Sequence, residues 1–155
     1  MDALAERVAG AGVGSFFVYT NEAHPGESFP HHTSMEQKMA HAAALRDELG
    51  VARPILVDAL DGACHRAYGS MPNMTWILRR GGVVAYKADW TDAASVDSAI
   101  DYFLDADRRR KSGADLRPTR VERLEYRDRD RQAFLRGLER SGPKAVREYK
   151  QAFPG

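Results

Sequence analysis

The chain predicts an α/β fold, a mixed sheet flanked by helices, on three observations. Residues 16–20 (FFVYT) and 54–57 (PILV) are short runs, aromatic and β-branched or aliphatic, that read as strands. Between them, Met35, Met39, Ala42, Leu45 and Leu49 recur at helical spacing and give an apolar stripe. Two later strand-like runs, 74–78 and 83–87, flank Arg79-Arg80-Gly81-Gly82, where adjacent glycines supply the positive φ of a tight hairpin. The first two strands are expected to run parallel through a right-handed crossover, with the hairpin antiparallel beside them.

The remaining elements follow from local signals. Residues 2–10 are helix-like, with Leu4 and Val8 on one face, and Gly10, Gly12 and Gly14 stop them. Thr33 with Glu36 fits a capping box that opens the long helix, which Gly50 ends. His41 lies off the apolar stripe and reads as a surface residue. Residues 63–68 form a short helix closed by Gly69, and Asp58 and Asp61 cap and bend the turn before it. Asp92 caps a helix over about residues 93–105, with Val96, Ala99, Ile100, Phe103 and Leu104 facing inward. Residues 108–120 (RRRKSGADLRPTR) read as a linker or irregular wrap, followed by helices over 127–140 and 143–153. The expected division is an α/β domain over 1–107 and a basic helical extension over 108–155.

A chain of 155 residues holds one domain with a real core. No apolar run reaches the roughly 20 residues that span a bilayer, and the N-terminus lacks a signal-peptide pattern, so no membrane partner is expected. The lone Cys64 cannot form an internal disulfide and fits a cytoplasmic location. It sits in a partly apolar helical segment and reads as packed core. Charge is polarised: residues 1–107 carry 8 Lys/Arg against 15 Asp/Glu, and residues 108–155 carry 15 against 7. A basic stripe can mean nucleic acid, but the expected reading is an arginine-rich helix face docked on the acidic body.

The functional stretch is residues 15–32, a strand that breaks into a loop with His24, His31, His32, Glu22 and Glu27. Titratable groups at the C-terminal end of a strand are where open α/β sheets place their chemistry. A metal site is not expected from these residues. His31 and His32 are adjacent and point apart in extended chain, and no His-x-x-x-His pair or cysteine partner supports zinc. On the residues alone, His24 also reads as a loop histidine bonded to backbone. Trp90 reads as a packed aromatic at a strand end.

The element order is that of the second half of a thioredoxin-type layout. The segments VYTNEAHPGE, PHHTSMEQK, ILVDALDG, AYGSMPNMTWIL and GGVVAYKADW resemble the iodothyronine deiodinases and their deiodinase-like relatives over roughly residues 3–104. That resemblance implies a thioredoxin fold and a thiol or selenol oxidoreductase acting by reductive dehalogenation or related redox chemistry. It makes Glu22 and His24 proton-relay residues, His32 a supporting histidine, and Met71-Pro72 a cis-proline edge for substrate. It implies no bound cofactor, an external thiol as reductant, and a small-molecule substrate. The family's cysteine or selenocysteine lies upstream of every segment matched here, between a first strand and a first helix. The expectation is therefore an N-terminally truncated reading whose natural start lies upstream. The strand edges left open would pair directly, 16–20 with 74–78, or invite a homodimer. The competing expectation is a non-catalytic thioredoxin-fold binding or scaffold module.

Overall fold

The structure, a computed structural model, describes residues 1–154 and is mixed α/β. In chain order its elements are α1 (Asp2–Ala9), β1 (Phe17–Tyr19), α2 (Met35–Leu49), β2 (Ile55–Val57), α3 (Ala63–Ala67), β3 (Thr75–Leu78), β4 (Val84–Ala88), α4 (Ala93–Lys111), α5 (Arg131–Ser141) and α6 (Pro143–Ala152). None of these helices is long and apolar enough to cross a membrane. The residues group into two compact units, each built from two separate stretches of chain.

One unit comprises Met1–Gly14 and Asn73–Arg127. Its sheet is the β3–β4 hairpin, antiparallel as the Gly81-Gly82 turn predicts, with a register irregularity between Ile77 and Leu78. Its core is Val8 of α1 against Val96 and Ile100 of α4, with Leu4, Ile77, Tyr86 and Leu104 packed around them. The inward face expected for the 93–105 helix is thus formed at Val96 and Ile100. Asp92 caps α4 by accepting the Ser95 backbone N–H at 2.8 Å. The helix runs on through Arg108, Arg109, Arg110 and Lys111, so the expected linker begins later and the expected 107/108 division falls inside α4. A helix C-terminus favours cations, which suits four consecutive basic residues there. Trp90 is 38% exposed and carries the Arg127 guanidinium 4.6 Å above its ring, a surface stack rather than the packed aromatic expected.

The second unit comprises Ser15–Pro72 and the chain from Asp128 onward. Its sheet is the parallel pair β1–β2, in register Phe17 to Ile55, Val18 to Leu56 and Tyr19 to Val57. Each strand in the protein takes one ladder partner, β1 with β2 and β3 with β4. Tyr19 is buried, whereas Val18 and its register partner Leu56 are exposed. The period-2 alternation of strands puts Val18 and Tyr19 on opposite faces.

Helix α2 departs from expectation in two ways. Its cap is Ser34, whose hydroxyl accepts the Gln37 backbone N–H, while the Gln37 side-chain oxygen accepts the Thr33 N–H. The cap is therefore Ser34, one residue beyond the expected Thr33, and the side chain that reaches back is Gln37, not Glu36, bonding to the Thr33 N–H just before the cap. The buried face is also rotated. Lys38 and Ala42 are buried, while Met35, Met39 and Leu49 of the expected stripe are exposed. Gly50 ends the helix in the left-handed conformation, φ 62°, as a C-terminal glycine should.

The basic tail supplies α5 and α6, which begin and end within a few residues of expectation. Asp130 caps α5 through the Ala133 N–H at 2.8 Å, so the helix starts at Arg131 rather than 127. These helices dock on acidic side chains of the same unit. Arg140 donates to Glu48 at 2.5 Å, and Arg147 lies 3.8 Å from Glu27.

Candidate acid–base site

The site forms where β1 ends. Tyr19, the last residue of β1, points into the unit and is 6% exposed. The chain turns at once, so Glu22, three residues on, comes back under the tyrosine, and Tyr19 donates its phenolic proton to the Glu22 carboxylate. The loop then travels to His32, just before α2, whose Nε2 sits 3.2 Å from the Tyr19 hydroxyl. From α2 itself His41 closes the cluster: its Nδ1 lies 3.1 Å from His32 Nε2 and 3.6 Å from Glu22 Oε1.

Packing fixes these rings. Tyr19 meets His32 edge to face at 5.6 Å between centroids, and the buried Phe29 meets His41 likewise at 5.1 Å. The side chains of Glu22 and His41 keep 17% and 12% exposure, so the cluster is half-buried and reachable.

Protons in this cluster are constrained. The Tyr19 hydrogen is committed to Glu22, which leaves one proton for the gap between His32 Nε2 and His41 Nδ1. A second proton there would set two N–H groups against each other. Burial, and next the neighbouring His41 charge, hold the His32 imidazole below its ordinary range against the pull of Glu22. Burial and the Glu22 carboxylate push the Tyr19 phenol well above its usual range, so it donates hydrogen bonds without ionising. A carboxylate, two imidazoles and a phenol in one hydrogen-bonded chain can take up, store and pass a proton.

Beside the cluster lies a charged pair that organises α3. Lys38 is buried and donates from Nζ to the Ala59 carbonyl at 2.9 Å. Asp58, at the end of β2, is buried and accepts the Cys64 and His65 backbone N–H groups, each at 2.9 Å. Burial drives its carboxyl upward, but the backbone donors, aided by Lys38, win and hold it below the usual range. Asp61 accepts the Ala63 N–H at 3.2 Å, so both aspartates cap and bend the turn as expected. Cys64 is half-buried and its backbone belongs to this cap.

Of the sequence-expected site residues, the structure brings Glu22 and His32 together. His24 goes elsewhere: its ring packs edge to face against Phe134 of α5 at 5.6 Å and Tyr149 of α6 at 5.8 Å. With Tyr149 and Phe153 it lines a cavity of about 160 Å³. His31 is exposed. Met71 and Pro72 lie in an exposed segment before β3, and no cis peptide bond occurs among the described residues, so the expected cis-proline edge is trans. The chain just before it turns through Gly69 and Ser70, at φ 110° and 61°. The Met71 carbonyl, offered as a substrate contact, already accepts from His65 Nε2 at 3.0 Å.

His41 and Tyr19 are the site residues that the sequence reading missed. His41 reads as surface only if the methionines define the buried face. The set Lys38, His41, Ala42 and Leu45 has the same i, i+3, i+4, i+7 spacing and is the face that packs inward. No family model, curated protein or solved structure matches the chain. Fold and site together define an α/β protein with a half-buried acid–base cluster at the end of a parallel strand.

Proposed function

We propose that this chain carries the acid–base wall of a deiodinase-like thiol or selenol oxidoreductase of thioredoxin type. The observation that supports the reading is the hydrogen-bonded chain Glu22–Tyr19–His32–His41 at the C-terminal end of β1, where the resemblance expects a proton relay. In such chemistry a chalcogenolate takes the halogen and the carbon keeps the bonding pair. The carbon then needs one proton, and two external thiols reduce the chalcogen–halogen bond, releasing halide and a disulfide. The cluster suits the middle step, because a phenol, a carboxylate and two imidazoles in one hydrogen-bonded chain can pass a proton. Within residues 1–155 Cys64 is the single thiol, and its place in the Asp58 cap makes it no candidate nucleophile. The reading therefore requires a thiol or selenol nucleophile other than Cys64 and takes its electrons from an external thiol.

The test is to express the reading frame together with its in-frame upstream DNA and to measure thiol-dependent halide release and peroxide consumption. Glu22→Gln and His41→Ala should each lower turnover about 100-fold or more, the scale of general acid–base catalysis. His24→Ala, in its aromatic packing, should have a far smaller effect. Equal rates in the relay variants and the wild type would remove the cluster from the mechanism. The second reading, a thioredoxin-type binding module without catalysis, is favoured by His24 being packed between two aromatic rings instead of joining the relay. Absence of turnover in the extended protein would select it.

A further inference from the structure

Among the described residues, Glu22, His32 and His41 converge as a set of potential metal ligands. The carboxylate oxygen and the two ring nitrogens all lie within 4.8 Å of one another, with 3.1 Å between the nitrogens and 3.6 Å from His41 to Glu22. Ligand atoms bound to tetrahedral zinc at about 2.0–2.1 Å are separated by about 3.3 Å, so two of the three edges already bracket that value. The donors come from three places, the β1 exit, the loop end and α2, and aromatic packing holds the histidine rings. We propose that Glu22, His32 and His41 form a site for a zinc-class divalent cation, with the Tyr19 hydroxyl orienting the carboxylate.

The surrounding charges permit it. Lys38 and Arg140 act electrostatically on His32 and Tyr19, but Lys38 is directed to the Ala59 carbonyl beside Asp58, and Arg140 donates to Glu48 while lying over Phe29. The Glu22 carboxylate is thereby left as the cluster's own negative charge. Two imidazoles and one carboxylate select zinc and its transition-metal neighbours over calcium or magnesium, which require mostly oxygen donors. The set differs from the histidines weighed from the sequence, since His24 and His31 are out and a helical histidine is in. Half-burial leaves a side for water or a small ligand to complete four-coordination, the arrangement of open rather than closed zinc sites. The inference stands on geometry and is independent of the redox reading. The two are exclusive in time, because a bound cation takes the lone pairs that would otherwise carry protons.

The experiment uses the 155-residue protein, freed of metal with a chelator and titrated with zinc against a chromogenic competitor at neutral pH. One zinc per chain is expected at micromolar or tighter affinity, and Co²⁺ in its place should give the intense visible bands of a four-coordinate site. Glu22→Gln, His32→Gln and His41→Gln should each weaken binding by about 100-fold or more, and Tyr19→Phe, acting through Glu22, by about 10-fold. Imidazole nitrogen spectra of the wild type, which need no variant to fold, should show zinc shifting His32 Nε2 and His41 Nδ1. Absence of stoichiometric binding would overturn the proposal. So would zinc that leaves those two nitrogens unmoved, since it would then sit on His24, His31 or His65.

Discussion

The backbone N–H of Ser28 donates to the carbonyl of Ser141 at 3.0 Å, joining the loop after β1 to the end of α5. Gly26 makes the approach possible. A Cβ there would overlap the Ser141 carbonyl oxygen and stand 2.6 Å from its carbon, against backbone that cannot swing aside. Gly26→Ala should therefore destabilise the protein by about 1–3 kcal/mol, the usual cost of overpacking. Gly137, inside α5 with open space around it, is the control. Gly137→Ala should stabilise by about 0.5–1 kcal/mol through helix propensity. Urea unfolding of both variants checks the pair.

Glu27 caps a helix from far along the chain. Its carboxylate oxygens accept the Lys144 backbone N–H at 2.9 and 3.1 Å, serving α6 where Gly142 has no side chain to do so. That backbone bond, ahead of the Arg147 and Lys144 charges, holds the Glu27 carboxyl below its ordinary range. A lowered carboxyl contributes stability that is present above its unfolded pKa of about 4.5 and is lost as pH falls through the folded value. Glu27→Gln should lower Tm at pH 7, and the gap to wild type should close as the pH is taken below about 4. Melting curves across that range give the result.

Lys38 and Asp58 should behave as one unit. Asp58→Ala removes a buried acceptor of two backbone N–H groups and should cost about 2–4 kcal/mol. Lys38→Met keeps the buried stem but leaves Asp58 without its cation, and should cost about 1–3 kcal/mol. The double variant should cost less than the sum, with a coupling of roughly 0.5 kcal/mol or more. A double-mutant cycle by chemical denaturation measures it, and strict additivity would mean the two charges do not interact.

Tyr19 should be silent in an alkaline titration. Burial and the Glu22 carboxylate raise its phenol, so the stability it contributes is complete below pH 10 and is lost only as pH rises toward the folded value. The absorbance change of wild type and Tyr19→Phe should coincide until the protein unfolds. An early difference of one tyrosine would show that the hydroxyl is open to water.

The strands, the hairpin and the loop of titratable groups were legible because each is local: a β-branched run, a glycine pair, a cluster of histidines within ten residues. What was not legible was the partner each loop residue would find. Methionines at 35 and 39 and leucine at 49 outweighed Lys38 and His41 on hydropathy, yet the polar pair faces inward because the loop and Asp58 supply its hydrogen-bonding and charged partners. Hydropathy ranks a side chain by itself, whereas burial of a polar group depends on groups distant in sequence. His24 shows the converse. Its neighbours Phe134 and Tyr149 lie more than a hundred residues away, and nothing beside it in the sequence announces them.

The two compact units interleave along the chain, and this orders their assembly during synthesis. The unit holding β3, β4 and α4 has all of its residues once position 127 has been made. The unit holding the acid–base cluster has its sheet by residue 57, but Glu27, Glu48 and His24 wait for α5 and α6. Contacts of such separation carry a large loop-closure cost and form late. A nascent chain paused before residue 128 would present the Gly26–Phe29 loop and the His24 ring without their cover, a state open to proteases and to chaperones.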